Sequence, residues 1–369
     1  MDMAAGVTNR KNYLDQAKGI GIMLVVLAHL SNRLYVGNDL LAIWINSFHL
    51  PIFFIVSGYL FFLKGDAKRP FAELLKHKAA GLLYPYLAFS GVYIMIDLIY
   101  LSVTTHELPL KPAVSVLFRV FSGWGIGTLW FLPVLFLCEL LFWIMKRPNS
   151  KWIVFILLLC CAVTGSFAGT YINAHFSEKG PMLQALIYRL GNLAARCLIS
   201  VVFMGIGFFY ATYEEWMMQK TTKVSRIIIG MILLTITVCM AGLHGEINLR
   251  IALIDHIWIY YLSGTMGTMA LLFIFRELKG LKWLSFVGVN SLIIMATHEP
   301  FMVMDLIQWI LMKAGIMNTV VAHSYLHVVI AFFLTMIVEI VLILLINRYV
   351  GFLLRVPIRR GSKQMEAKR

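Results

Sequence analysis

Apolar residues in this chain come in runs close to twenty long, about the length a helix needs to cross a bilayer. No other feature limits the fold so strongly. In lipid, every backbone N–H and C=O must be bonded within the protein, which leaves helices and closed barrels. Unbroken runs, rather than alternating segments of about ten residues, select helices. Hydrophobic residues make up 60% of the 369 and charged residues only 14%, whereas soluble domains carry about 25% charge. The sequence therefore predicts an all-α polytopic membrane helical bundle.

About ten transmembrane helices fit, at 19–36, 41–62, 81–102, 128–145, 152–169, 192–211, 226–243, 253–275, 283–312 and 323–346. They divide the chain into a polar leader over 1–18, a membrane domain over 19–346 and a basic tail over 347–369. The ninth segment carries Pro300 and reads as one kinked helix or two shorter pieces. With ten spans, three quarters of the 32 Lys and Arg fall on the side of the N-terminus. The positive-inside rule then places both termini in the cytoplasm. The first apolar run is as long as a full span and lacks a small-residue cleavage pattern, so it reads as a retained helix. The net charge of +14 is spread over alternate loops, which argues against a nucleic-acid partner. The five cysteines lie inside apolar runs without metal-ligand spacing and read as small buried residues. The longest external loops are expected over 103–127 and 170–191. Gly123, Gly125 and Gly127 follow no strand and precede no phosphate-binding lysine, so they make no P-loop.

Within this frame, Lys18 and His29 stand eleven residues apart on the first apolar segment. Eleven helical steps of about 100° return to the same face, ~16 Å further along the axis. Asp15, Ile22 and Val25 share that stripe, and Asp15 is placed either to hold Lys18 or to complement the helix dipole. His49 lies about eight residues down the second span, and His298 lies in the outer half of the ninth beside Pro300, so three histidines can meet in one layer. An ionisable side chain inside a membrane is costly and is a functional candidate by default; each histidine alone can also be a simple interhelical hydrogen bond. A cation at the surface and a base one long arm deeper suit an anionic, extended ligand. Asp97, Glu139, Asp255, Asp305 and Glu339 are further intramembrane acids, of which Glu139, following Trp130, is the best placed for a site role.

These residues resemble the acyltransferase family 3 proteins, bacterial integral-membrane O-acyltransferases of surface polysaccharides. The resemblance begins with Leu14-Asp15-x-x-Lys18-Gly-Ile-Gly-Ile22 and Val25-Val26-x-x-His29, and continues with Phe48-His49-x-Pro51-x-Phe53-Phe54-x-x-Ser57-Gly58-Tyr59. Pro85-Tyr86, Leu129-Trp130-Phe131-Leu132 and Gly288-x-Asn290-Ser291 ahead of His298 extend it in order along almost the whole chain. It implies ten core helices in the bacterial inner membrane and an acyl group taken from cytoplasmic acyl-CoA, most simply acetyl-CoA, as donor substrate. The acceptor it implies is a glycan or a lipid-linked sugar. No permanently bound cofactor and no metal are expected. The basic residue and the histidine that follows it after ten intervening residues are held in the family to be needed for activity. Here the basic residue is Lys18 rather than the frequent arginine, a point charge without the bidentate fork.

The expected roles follow. Lys18 anchors the donor's phosphates. His29 acts as base or as nucleophile, with His49, His298 and Asp15 in support. Trp130, Glu139, Asn290 and Ser291 contact substrate, and the oxyanion finds its donors among protonated His49, Ser57, Asn290 and amides near Pro300. The rival reading is a proton-coupled secondary transporter, with buried His, Asp and Glu as a relay. Transporters of that kind show matching halves, and the segment 18–59 has no counterpart around 190–240.

Overall fold

The computed structural model describes residues 11–34, 40–105, 110–278, 280–317 and 325–354. Most of the leader and the far end of the basic tail lie outside those residues. Two long antiparallel helices open the fold, α1 over Asn12–Leu34 and α2 over Leu40–Leu63. α3 (Phe71–Lys78) passes through a π-helical turn at Ala79–Leu83 into α4 (Tyr84–Thr105). Pro85 lies two residues past the end of that turn, and a proline without an N–H is accommodated in a helix's first turn. After α4 come α5 (Leu110–Phe121), a 3-10 turn at Gly127–Trp130, α6 (Phe131–Met145), α7 (Lys151–His175), α8 (Met182–Lys220) and α9 (Lys223–Cys239). A hairpin of two short strands, β1 (Ile247–Asn248) and β2 (Leu253–Ile254), precedes α10 (Ile257–Glu277). The chain then makes α11 (Lys282–Val289), α12 (Ser291–Thr297), α13 (Val303–Lys313) and α14 (Tyr325–Tyr349).

Among the described residues, eight helices are long and apolar enough to cross a membrane. Two of the ten expected spans take other forms. The seventh is α9, only 17 residues long. The ninth is neither one kinked helix nor two pieces but three short helices, broken at Asn290 and again around His298–Met302. Pro300 accounts for the second break, since it removes a donor and its ring crowds the preceding turn; Met302 takes a left-handed conformation there, at φ 58°. The expected loop over 170–191 is mostly helical, because α7 continues to His175 and α8 begins at Met182. α8, at 39 residues, is ~58 Å long, well beyond a hydrocarbon core of about 30 Å. The loop expected over 103–127 contains α5.

Large apolar side chains cover the outer faces of α4, α7, α9 and α14, among them Ile99, Phe167, Ile228 and Phe333. Apolar surface facing outward and apolar core inward is what a lipid solvent allows. Cys138, Cys161 and Cys197 are buried as expected, whereas Cys160 and Cys239 lie on the bundle's exterior.

The inner helices approach closely. A Cβ added at Gly58 on α2 would stand 1.9 Å from the Met204 carbonyl oxygen, and one at Gly207 on α8 would stand 1.9 Å from that of Ile55. Each helix uses a glycine to admit the other's backbone, so α2 and α8 form a tight seam, as small residues do in membrane bundles.

Two charged clamps close the end of the bundle where the basic loops gather. Glu214 on α8 accepts from Lys11 and from Tyr59 of α2, both at 2.5 Å, and also from Tyr13 of α1 and Arg276 of α10. Lys78 on α3 sits 2.7 Å from Asp66 and 2.7 Å from Glu139 of α6, and Ser57 donates to Glu139 at 2.6 Å. These clamps join elements remote in sequence through pairs that lipid cannot satisfy.

Gly58→Val is expected to destabilise the bundle by about 1–3 kcal/mol or to prevent its assembly. Gly91→Val, where an added Cβ meets nothing within 4 Å, should leave it unchanged; thermal unfolding in detergent compares the two. Lys78→Met should cost about 3–5 kcal/mol, because it leaves the buried Glu139 without its cation, while Asp66 keeps Arg69 at 2.9 Å. Adding Glu139→Gln should recover part of that loss, a non-additivity the same melts will read.

Candidate active site

α1 begins seven residues before the apolar run that announces it, so Asp15 and Lys18 lie on the same continuous helix as His29. The stripe survives folding intact. Lys18, Ile22, Val25 and His29 all line one cavity of about 230 Å³. Asp15 lies outside the lining and holds Lys18 from behind, with 2.8 Å between Oδ1 and Nζ. The opposite walls come from α2 (His49, Ser57), from the 3-10 turn before α6 (Thr128, Trp130) and from α12 (Ser291, Met295).

Local backbone chemistry explains how Trp130 reaches the cavity. Gly123, Gly125 and Gly127 all have positive φ, and a Cβ on Gly125 would stand 2.5 Å from the Trp130 backbone nitrogen. The glycine-rich stretch is thus a tight left-handed turn that only glycine can close. Thr128 then ties that turn to α12 by donating to the Met295 carbonyl at 2.5 Å.

The three histidines come together, in different postures. His29 lines the cavity. His298, fully buried, is not part of the lining; its ring stands edge-on against His29, centroids 5.4 Å apart. His298 Nδ1 is 2.6 Å from the Ile294 carbonyl and His49 Nδ1 is 2.9 Å from that of Ile45. A carbonyl only accepts, so in each ring Nδ1 carries the proton and the neutral imidazole leaves Nε2 as a lone pair. His49 therefore offers an acceptor to the cavity when neutral, not the donor that an oxyanion role requires. Ser57 is also withdrawn from that role, since its hydroxyl hydrogen goes to Glu139. Among the described residues the Ser291 hydroxyl donates to no other group, and it lines the cavity.

Two expected substrate contacts sit elsewhere. Glu139 is part of the Lys78 clamp. Asn290 caps the break between α11 and α12, donating to the Phe286 carbonyl at 2.8 Å and accepting from Asn347 of α14 at 2.8 Å. The remaining acids also have structural partners where any are seen. Asp305 pairs with Arg33 at 2.6 Å, Asp255 accepts the Glu246 amide at 2.8 Å, and Glu339 accepts from Thr297 at 2.6 Å.

Sequence reasoning overlooked Glu299. Its Oε1 is 4.0 Å from His29 Nδ1, beyond hydrogen-bond reach but near enough for its charge to favour a protonated ring. The available signal was a carboxylate directly after His298 in an apolar stretch. It also overlooked a second cavity of about 250 Å³, lined by Asn32, Asn46, Asn248 and Arg250. His29, His49, Leu50 and Trp130 line both cavities. One chamber runs from Lys18 at the basic end to the histidines. The other lies beyond them, under the β1–β2 hairpin. Burial pulls the Arg250 guanidinium below its ordinary proton affinity, with the Glu299 charge opposing. Among the described residues, no group of three or more His, Cys, Asp or Glu is arranged to hold a metal ion.

A family model described as an acyltransferase domain matches residues 11–344. The nodulation protein NolL of Mesorhizobium japonicum is 32% identical over 160 residues, 41% of this chain and 40% of that protein. NolL of Sinorhizobium fredii is 32% identical over 161 residues, 41% of each chain. These alignments thus span about two fifths of the relatives' length. No solved structure gives a significant match.

Proposed function

The chain belongs to acyltransferase family 3, and from that premise we propose that it is an O-acyltransferase of the bacterial cell membrane. In this reading it carries acetyl from cytoplasmic acetyl-CoA to a hydroxyl of a cell-surface glycan or of its lipid-linked precursor. The observation that carries the reading is the position of His29, in the lining of both cavities at once.

The inner chamber suits the donor. Lys18, braced by Asp15, stands where the phosphates of CoA remain near the cytoplasm. The ~16 Å from Lys18 to His29 is about the reach of an extended pantetheine arm, given the rise along a helix. The walls between them are Ile22, Val25, Phe53 and Leu132, which favour a thioester arm over a charged group. The outer chamber suits the acceptor: its asparagines match sugar hydroxyls, and Trp130 offers an aromatic face at the junction.

Both substrates can then be present together, which favours direct transfer over an acyl-histidine intermediate. The acceptor oxygen attacks the thioester carbon while His29 Nε2 takes its proton. Glu299 steadies the imidazolium that forms. The tetrahedral oxyanion is held by Ser291 or by a backbone amide. The C–S bond breaks, and the proton on His29 passes to the departing sulfur. The products are an O-acetyl ester and free CoA, with no net proton change at the enzyme. Holding both reactants against one base supplies the proximity that makes such a step fast.

Purified protein given labelled acetyl-CoA and acceptor glycan should form labelled ester. His29→Ala should reduce that rate by about 10²–10⁴-fold with an unchanged melting temperature; full activity would sink the assignment. Lys18→Ala should raise the KM for acetyl-CoA about tenfold or more, with Lys18→Arg retaining most of the affinity. Glu299→Gln should lower kcat by about 30-fold while leaving that KM in place, as expected of a residue that positions His29 rather than binding donor. Mass analysis of the surface glycan with and without the protein identifies the hydroxyl modified.

A further inference from the structure

One arginine lines the outer chamber and a second is buried behind it. Arg250 lines it and takes part in no ion pair within 4 Å among the described residues. Behind it, Arg196 of α8 is completely buried; its Nε donates to the Asn192 carbonyl at 3.0 Å, while Nη1 and Nη2 find no partner. The Arg196 guanidinium lies 5.1 Å from the centre of the Trp124 ring and 5.2 Å from that of Trp130, and Arg250 faces Trp124 at 5.8 Å. Arg119 and Arg189 complete the group, sharing the single carboxylate Glu178 at 3.5 and 3.4 Å. Glu299 is the other acid nearby, and it is turned to His29. Arg196 and Arg250 thus bring two guanidinium groups with no carboxylate within 4 Å among the described residues to this end of the bundle, and such an uncompensated positive field attracts anions.

Resting on the acyl-transfer reading, we propose that the acceptor carries an oxyanion, a sugar phosphate or a sugar carboxylate, and that Arg250 binds it in the outer chamber. Arginine presents a planar fork that matches carboxylate and phosphate alike. Arg250 sits on the hairpin side of the chamber and His29 on the other, so gripping the charged group sets the sugar across the space between them. Asn32, Asn46 and Asn248 are left for neutral hydroxyls. Arg196, stacked between the two tryptophans, adds field without touching the ligand. A neutral sugar would leave the arginine desolvated and unpaired, so the site discriminates against it.

The test uses the full chain in lipid nanodiscs and three matched acceptors: methyl glucoside, methyl glucuronide and methyl glucoside 6-phosphate. Transfer from labelled acetyl-CoA gives kcat/KM, and tryptophan fluorescence gives binding without donor. The expected result is at least a tenfold preference for one or both anionic sugars in each readout, with the preferred one distinguishing carboxylate from phosphate. Arg250→Gln should reduce that preference about tenfold or more, to near unity, and Arg250→Lys should keep part of it. Wild-type protein that treats the three sugars alike or binds none overturns the proposal, as does an Arg250→Gln variant that lowers all three equally. Acetyl transfer without anion preference leaves the acyl-transfer reading standing and removes only the anion site. Selective, Arg250-dependent binding with no transfer to any sugar does the reverse.

Discussion

Lipid offers no hydrogen bonds, and that constraint organises the whole molecule. A polar side chain between the helices must be answered by another side chain or by a cavity that admits a ligand. The ionisable side chains held between the helices divide on this line. Glu214, Lys78, Glu139 and Glu339 are answered by neighbours on other helices and act as structural ties. Lys18, His29, His49 and Arg250 line cavities. The same expensive residue types therefore serve two purposes, and only their surroundings tell them apart.

α1 is the axis of the site. It supplies the cation at one end of the inner chamber and the imidazole at the other, and a helix holds that interval rigid in a way a loop would not. The surrounding helices keep the ruler in place. The glycine seam between α2 and α8 brings His49 and Ser57 to one wall. The breaks in α11–α13 do the rest. An uninterrupted ninth span would have carried His298 and Glu299 past on a straight face, whereas the turn after α12 lays both against His29. Irregular backbone at membrane depth is tolerated where it borders a cavity, as it does here.

Much of this was legible along the chain. The all-α bundle follows from run length, and the Lys18–His29 stripe from helical periodicity, because both depend on residues near one another in sequence. The meeting of His29 with His298 was also within reach, since depth along adjacent spans can be counted. Harder to see was the fate of Glu139. Nothing local distinguishes a carboxylate facing substrate from one facing Lys78, a residue 61 positions away. Asn290 looked like a site residue for a similar reason, being polar and near Ser291, yet its neighbours make it a helix break and a tie to α14. Arg250 stands in a connection between spans, where no local spacing sets it apart.

The amino-acid sequence by itself determined that the chain lives in a membrane, that its spans are helical and that a base and a cation share one helical face. Each is a property of spacing along a regular element, and lipid permits few such elements. Only the tertiary structure decided that the His29 and His49 imidazoles border two chambers, that Glu299 stands near His29 and that arginines gather beyond them. Those relations depend on how α1, α8, α12 and the β1–β2 hairpin are brought side by side. The packing that brings them there is set by glycine seams, broken helices and buried ion pairs acting between segments far apart in the chain.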